Sequence, residues 1–188
     1  MVPEEIDLGD IVLRRWRQED AEALTAAIAE SVEHLRVWMP WADRVTLEER
    51  RTHLAGWERE WEAGGDLVWG IFAGPAIAGS CGLHRRVGPG GFEIGYWVHA
   101  AHTRRGYATA AVVALTSVAV AQPGISFVEI HHDRANLASA AVPRKLGFEL
   151  IGEARVEPRT QAESGVTFVW RMTRERWQPS HQGGGVAP

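Results

Sequence analysis

Residues 95–109 read GYWVHAAHTRRGYAT. An apolar strand, Phe92 to Val98, runs into the basic turn Thr103-Arg104-Arg105-Gly106, and the turn opens an Ala-rich helix near Tyr107. The first turn of a helix leaves backbone N–H groups unpaired at the positive end of the macrodipole. A glycine there lets the main chain approach a ligand closely, and two arginines add donors and charge. The combination specifies an anion site, most simply for a phosphate or pyrophosphate. A glycine in a strand–turn–helix is also ordinary α/β scaffolding, and arginine pairs commonly sit on solvated surface. Neither a Gly-Lys-Ser/Thr phosphate loop nor a Gly-x-Gly-x-x-Gly dinucleotide turn accompanies the stretch.

Working outward, Ile11 to Arg17 has the alternation of a first strand, and Asp20 is placed to cap the helix that follows. Ala21, Leu24, Ile28, Val32 and Leu35 recur at steps of three and four, one helical face that Pro40 breaks. Thr46 and Glu49 have capping-box spacing. Leu47, Leu54, Trp57 and Trp61 then share a face, and Gly64-Gly65 ends the helix. Leu67–Phe72 and Ala76–Val87 read as strands around Gly74-Pro75. After the basic turn come the Ala-rich helix, a strand over Ile125–His132, a short helix near Leu137–Leu146, and strands near Phe148–Val156 and Val166–Met172. Only Phe92 to His132 has the strand–helix–strand form that parallel pairing needs. The expected fold is therefore α/β (α+β), a mixed, mostly antiparallel sheet of six to seven strands with helices on both faces. One domain over 1–178 is expected, with a disordered tail over 179–188, where Gly183-Gly-Gly185 and the absence of periodicity offer nothing to pack.

A net charge of −4 gives no global field to recruit nucleic acid. Cys81 stands alone, which excludes an internal disulfide and fits a reducing, cytoplasmic setting. It reads as a small core residue rather than a nucleophile. No zinc spacing is present, and the neighbours His131 and His132 would face opposite sides of a strand, so no metal is expected. Residues 107–128 carry no formal charge, but Gln122-Pro123-Gly124 interrupts them short of the ~18 apolar residues a membrane span needs. The N-terminal residues have no signal-peptide pattern. Most of the nine tryptophans should be core, and Trp38 and Trp41, flanking Met39-Pro40, should anchor a loop.

Four ordered segments resemble the GNAT acyltransferases. Thr103-Arg-Arg-Gly-Tyr-Ala108 resembles their acyl-CoA pyrophosphate loop, Gln/Arg-x-x-Gly-x-Gly/Ala, with Gly106 and Ala108 matching and Thr103 departing. Asn136-Leu-Ala-Ser139 and Arg144-Lys-Leu-Gly-Phe148 are similar to the second signature, Asn-x-x-Ser/Ala followed by Lys-Leu-Gly-Phe. Glu93-Ile-Gly-Tyr-Trp-Val98 resembles the family's central strand, and His34-Leu-Arg-Val-Trp38-Met-Pro-Trp41 a substrate-side segment of the RimJ/RimL branch. The segments span about residues 11–173.

The resemblance implies a splayed pair of central strands that admits acetyl-CoA as co-substrate, and an amine acceptor that attacks it directly. It implies that the main chain of Trp97, Val98 and His99 pairs with pantetheine, the Val98 N–H facing the oxyanion. Arg104, Arg105, Gly106, Tyr107, Ala108 and Thr109 would hold the pyrophosphate, and Asn136 and Ser139 would lie beside pantetheine and sulfur. The tyrosine acid of many members is replaced by Pro143, which leaves Ser139 as the hydroxyl on the sulfur side. Candidate bases are Glu93, expected beside aromatic surface that would raise its pKa, then Glu157, then His84. The acceptor implied is a protein N-terminus or a small amine such as an antibiotic or polyamine, the acyl donor could be succinyl-CoA, and a homodimer follows only from the family. A CoA-binding sensor without turnover and a purely structural α/β domain are the rival readings.

Overall fold

The computed structural model describes residues 2–43 and 46–178; the tail expected over 179–188 lies outside the described residues. Eight strands form one sheet in the order β1-β2-β3-β4-β5-β6-β8-β7, with β1 Glu5–Asp7, β2 Val12–Arg15, β3 Leu67–Ala73, β4 Ala76–His84, β5 Gly91–Val98, β6 Phe127–Asp133, β7 Glu149–Arg155 and β8 Val166–Thr173. Five α-helices lie among the described residues: α1 Ala21–Glu30, α2 Val32–Leu35, α3 Leu47–Glu62, α4 Tyr107–Ala121 and α5 Leu137–Lys145. The sheet thus exceeds the expected six to seven strands. The addition is β1, a three-residue edge that pairs only with β2.

Every described pairing is antiparallel except β5 with β6. There the register runs only from Gly91↔Phe127 to Glu93↔Glu129, although β5 continues to Val98 and β6 to Asp133. Beyond Glu93, β5 stays hydrogen-bonded to β4, and β6 stays with β8 along its whole length. The sheet therefore opens into a wedge at its centre, and the main-chain groups along the wedge are free to pair with something extended.

Two cores flank the sheet. Leu13, Trp69, Ile71, Leu83, Phe92, Ile94, Val128 and Ile130 pack with Val112 and Leu115 of α4 on one face. Trp16, Leu24, Ile28, Leu54, Val68 and Trp97 pack with α1 and α3 on the other. At about 25 cal/mol per Å² of apolar surface, burying side chains of this size contributes roughly 1.5–3 kcal/mol each. α4 is uncharged because it is buried against β4, β5 and β6. No helix among the described residues is long and apolar enough to cross a membrane.

Local signals were realised unevenly. The Thr46–Glu49 capping box forms in both directions, at 3.2 and 2.7 Å. Asp20 does not cap α1. Its carboxylate accepts the Arg17 N–H at 2.8 Å and forks with Arg14 instead. The helical face from Ala21 to Leu35 is split at Ser31, whose buried hydroxyl accepts the Ala100 N–H at 2.9 Å. That bond ties the corner between α1 and α2 to the end of β5, where the wedge is widest.

Candidate active site

At the end of β5 the chain makes a 3-10 turn over Ala100–His102 and enters the basic loop. Gly106 is the N-cap of α4, at φ +84° and ψ −1°. Arg104, two residues earlier, has φ +62° and is the only non-glycine residue with positive φ among those described. Left-handed residues so closely spaced turn successive N–H groups into one concavity. The Ala110 N–H bonds to the Gly106 carbonyl at 2.9 Å, which leaves the first-turn N–H groups of Tyr107, Ala108 and Thr109 for a ligand. A Cβ built on Gly106 would meet nothing within 4 Å, so the space before these donors is open. His102 stacks against Tyr107, and burial together with Arg105 and His99 pushes its pKa down, so it stays neutral beside the arginines. Main-chain geometry and local positive charge fit a diphosphate.

Along the wedge, neighbouring residues of β5 turn their main-chain groups to opposite edges. The His99 N–H is donated to the Ala78 carbonyl at 2.8 Å, and the His99 carbonyl accepts the His102 N–H at 2.8 Å. The His99 N–H, expected to pair with pantetheine, is thus committed to β4, and its carbonyl already accepts one bond. The Trp97 carbonyl likewise faces β4, since a side chain on Gly79 would collide with it. Of the three expected residues, Val98 is the one that alternation turns into the gap.

Asn136 and Ser139 meet at the start of α5, where Asn136 Oδ1 accepts the Ser139 N–H at 3.0 Å. α5 runs through Pro143, and proline has no N–H for the carbonyl four residues back. That carbonyl belongs to Ser139, and Tyr96 of β5 donates its hydroxyl to it at 3.1 Å. Tyr96 Oη is also 3.1 Å from Ser139 Oγ. With the single phenolic proton on the carbonyl, the Ser139 hydroxyl is the donor of this second bond, to the Tyr96 oxygen. Burial pushes the Tyr96 pKa up to about 12 against the opposing effect of its bond with Ser139, so the phenol keeps its proton at neutral pH. Sequence reasoning missed Tyr96. The available signal was Pro143 itself, because a proline inside a short helix predicts an orphaned carbonyl and hence a donor from elsewhere.

The opposite face of the wedge is built from charged side chains. Glu93 was expected beside aromatic surface; both of its oxygens are instead held by Arg86, at 2.8 and 2.7 Å. His131 lies with Nε2 2.6 Å from Glu129 and Nδ1 3.6 Å from Glu93. The other oxygen of the buried Glu129 is taken by Arg171. His132 points the other way, its Nε2 accepting the Trp170 indole N–H at 2.9 Å, as the alternation of the pair required. His84 is the cross-strand partner of Glu93 and bonds to Asp66 at 2.7 Å. Glu157 is exposed on the connection between β7 and β8, and this connection is pinned by Thr160 Oγ1 to the Val37 carbonyl at 2.7 Å. Trp41 reaches the Trp97 indole edge-on, with ring centroids 6.5 Å apart, so the Trp38–Trp41 segment closes one side of this face. Cys81 is buried, and burial pushes its thiol pKa up, as suits a core residue. The described residues contain no group of three metal-ligating side chains.

The Acetyltransferase (GNAT) domain family matches residues 10–149. YdaF of Bacillus subtilis, named as a candidate ribosomal N-acetyltransferase, is 28% identical over 153 residues, covering 77% of this chain and 81% of YdaF. Among solved structures, the microcin C7 self-immunity acetyltransferase MccE, in complex with acetyl-CoA and AMP, superposes with a TM-score of 0.83 at 20% identity over 91% of this chain and 97% of that one. RimL, a ribosomal L7/L12 alpha-N-protein acetyltransferase in complex with coenzyme A, gives 0.82 at 20% identity over 93% and 98%. At such identities the structures speak for the fold, while the family match spans well over half of the sequence. The chain belongs to the GNAT acetyltransferase family.

Proposed function

We propose that the chain transfers an acetyl group from acetyl-CoA to a primary amine by direct attack, the acceptor being a protein N-terminus or a small-molecule amine. The observation that carries this reading is the wedge: an anion loop at its mouth, Val98 along its edge and Ser139 at its side. The pyrophosphate sits on the N–H groups between Arg104 and Thr109, with Arg104 and Arg105 adding charge. Pantetheine runs along β5 past Asn136, and the Val98 N–H faces the oxyanion. Ser139 turns its hydroxyl from Tyr96 to the departing sulfur. The acceptor arrives on the other face, where Glu93 and Glu157 supply negative charge for an ammonium group. No covalent intermediate is needed, in keeping with the burial of Cys81.

The test is thiol release from acetyl-CoA against short peptides with free N-termini, spermidine and kanamycin, with succinyl-CoA as a second donor. Release with one acceptor class identifies it. CoA binding with no release in any reaction would mean a sensor, and no binding at all would mean a structural domain. Within an active pair, Ser139→Ala should lower kcat by ~10²-fold with little change in acetyl-CoA affinity, because help to the leaving group appears in the transition state. A change confined to KM would make Ser139 a binding residue.

A further inference from the structure

We propose that Asp66 and His84 form the proton-accepting dyad for the acceptor amine, with His84 Nε2 as the base; this rests on the acyl transfer proposed above. His84 ends β4, and its Nδ1 lies 2.7 Å from Asp66 Oδ2, while Asp66 Oδ1 accepts the Arg85 N–H at 2.8 Å. A carboxylate only accepts, so Nδ1 carries the proton and Nε2 presents its lone pair. Burial alone would raise the Asp66 pKa, but the hydrogen bonds from His84 and the Arg85 N–H outweigh it and hold the carboxyl below its ordinary value. Asp66 is therefore ionised and fixes the tautomer.

The ring lies over a glycine pair. Gly82 and Gly95 are cross-strand partners, and a Cβ on either would stand 3.0 or 3.2 Å from Nε2. An alanine at either position would press on the imidazole and push it aside by a few tenths of an ångström. From the level of Glu93, Nε2 thus reaches the level of Gly95, inside the wedge and two residues or about 7 Å short of Trp97. A chain of two waters, or the acceptor's own nitrogen reaching into the wedge, spans that distance.

The charged groups around His84 are otherwise committed. Arg86, next along from Arg85, forks onto Glu93. His131 on β6 faces Glu129 and Glu93 with its two nitrogens, and Glu129 is shared with Arg171. Of the two ring nitrogens of His84, Nδ1 is taken by Asp66, and Nε2 has no hydrogen-bond partner among the described residues. In the reaction, the ammonium first gives one proton to Nε2, and the neutral amine attacks the thioester carbon. The C–N bond forms, the C–S bond breaks, the second nitrogen proton goes to sulfur by way of Ser139, and Nε2 returns its proton to water.

His84→Gln should lower kcat/KM by ~10²-fold or more and remove the acid limb of its pH profile, leaving only the acceptor's own titration, with acetyl-CoA affinity unchanged. Asp66→Asn should cost less and shift the limb. Gly95→Ala, which keeps every titratable group, should lower the rate by displacing the ring. Added imidazole should partly restore His84→Gly. Retention of rate and limb in His84→Gln would overturn the proposal. Long-range ¹H–¹⁵N spectra of the wild type give a readout that needs no turnover: an Nδ1–H tautomer is expected, and an Nε2–H tautomer would overturn the dyad. Should the wild type release no thiol with any of the acceptors, the acyl-transfer reading fails on its own evidence while the tautomer still judges the dyad.

Discussion

The two faces of the wedge are built by different means. The side proposed for CoA is made of main chain: a left-handed Gly106, the first turn of α4, the edge of β5 and the Asn136 cap of α5. The side proposed for the acceptor is made of side chains held by other side chains, such as His84 by Asp66, Glu93 by Arg86, and Glu129 by Arg171. A main-chain site needs particular φ angles and therefore leaves short, local marks such as a glycine at a helix start. A side-chain site needs only that charges from separate strands meet, which many sequences can arrange. The first kind suits the co-substrate common to a family, and the second suits an acceptor that differs between its members.

If that division is right, variants should separate by which ligand they affect. The largest effect belongs to Gly106→Val. A β-branched residue is strained at φ +84°, and its side chain would fill the space before the first-turn N–H groups. CoA binding should fall beyond about 100-fold in a titration with folding verified, whereas Arg105→Ala, losing one exposed charged contact, should cost about tenfold. Equal effects would mean that charge rather than backbone makes the site. On the other face, Glu93→Gln should leave CoA affinity intact and raise the acceptor KM by about tenfold, since Arg86 then keeps an unbalanced positive charge near an incoming ammonium. A shift in CoA affinity instead would erase the distinction between the faces.

Tyr96 is where the two faces share a strand. Tyr96→Phe should lower kcat about fivefold through a disordered Ser139 hydroxyl, and destabilise the fold by about 1–3 kcal/mol because the Ser139 carbonyl loses its donor. Pro143→Ala restores an N–H to that carbonyl. The double variant should therefore recover stability in denaturant unfolding while kcat stays low. Recovery of both would reduce Tyr96 to a structural prop.

The same division explains what could be read from the sequence. The parallel pairing of β5 with β6, α4, α5 and the Thr46 cap were legible because each rests on periodicity or on residues within four positions of one another, whereas the placing of β8 between β6 and β7 was not. β1 was not, since Glu5-Ile6-Asp7 is three residues long with two acids and owes its form to pairing with β2. Asp20 has a cap's composition, but Arg14 competes for its carboxylate. Glu93 was found by type and position, yet its partner Arg86 comes from across a turn and decides its chemistry. Tyr96 and Ser139 are 43 residues apart, and Arg171 and Glu129 are 42 apart, so no local pattern joins them. His99 looked free because sequence does not show which edge of a strand a given N–H faces.

The smallest effect tests whether the CoA loop stores strain. Arg104 has φ +62°, where an L-residue costs roughly 1–2 kcal/mol relative to the right-handed form. Arg104→Gly removes that cost and gives back about 0.4–1 kcal/mol through the more flexible unfolded chain. Stability should thus stay level or rise by up to about 1.6 kcal/mol, a Tm gain of a few degrees at about 2–4 °C per kcal/mol for a chain of this size. CoA affinity should nevertheless fall about threefold, because an exposed charge is lost and the loop is less fixed before binding. Arg104→Ala loses the charge but keeps the strain, so it should weaken CoA similarly with no stability gain. A clear drop in Tm for the glycine variant would show that Arg104 is not strained, and the anion site would then rest on Gly106 and the α4 N-terminus alone.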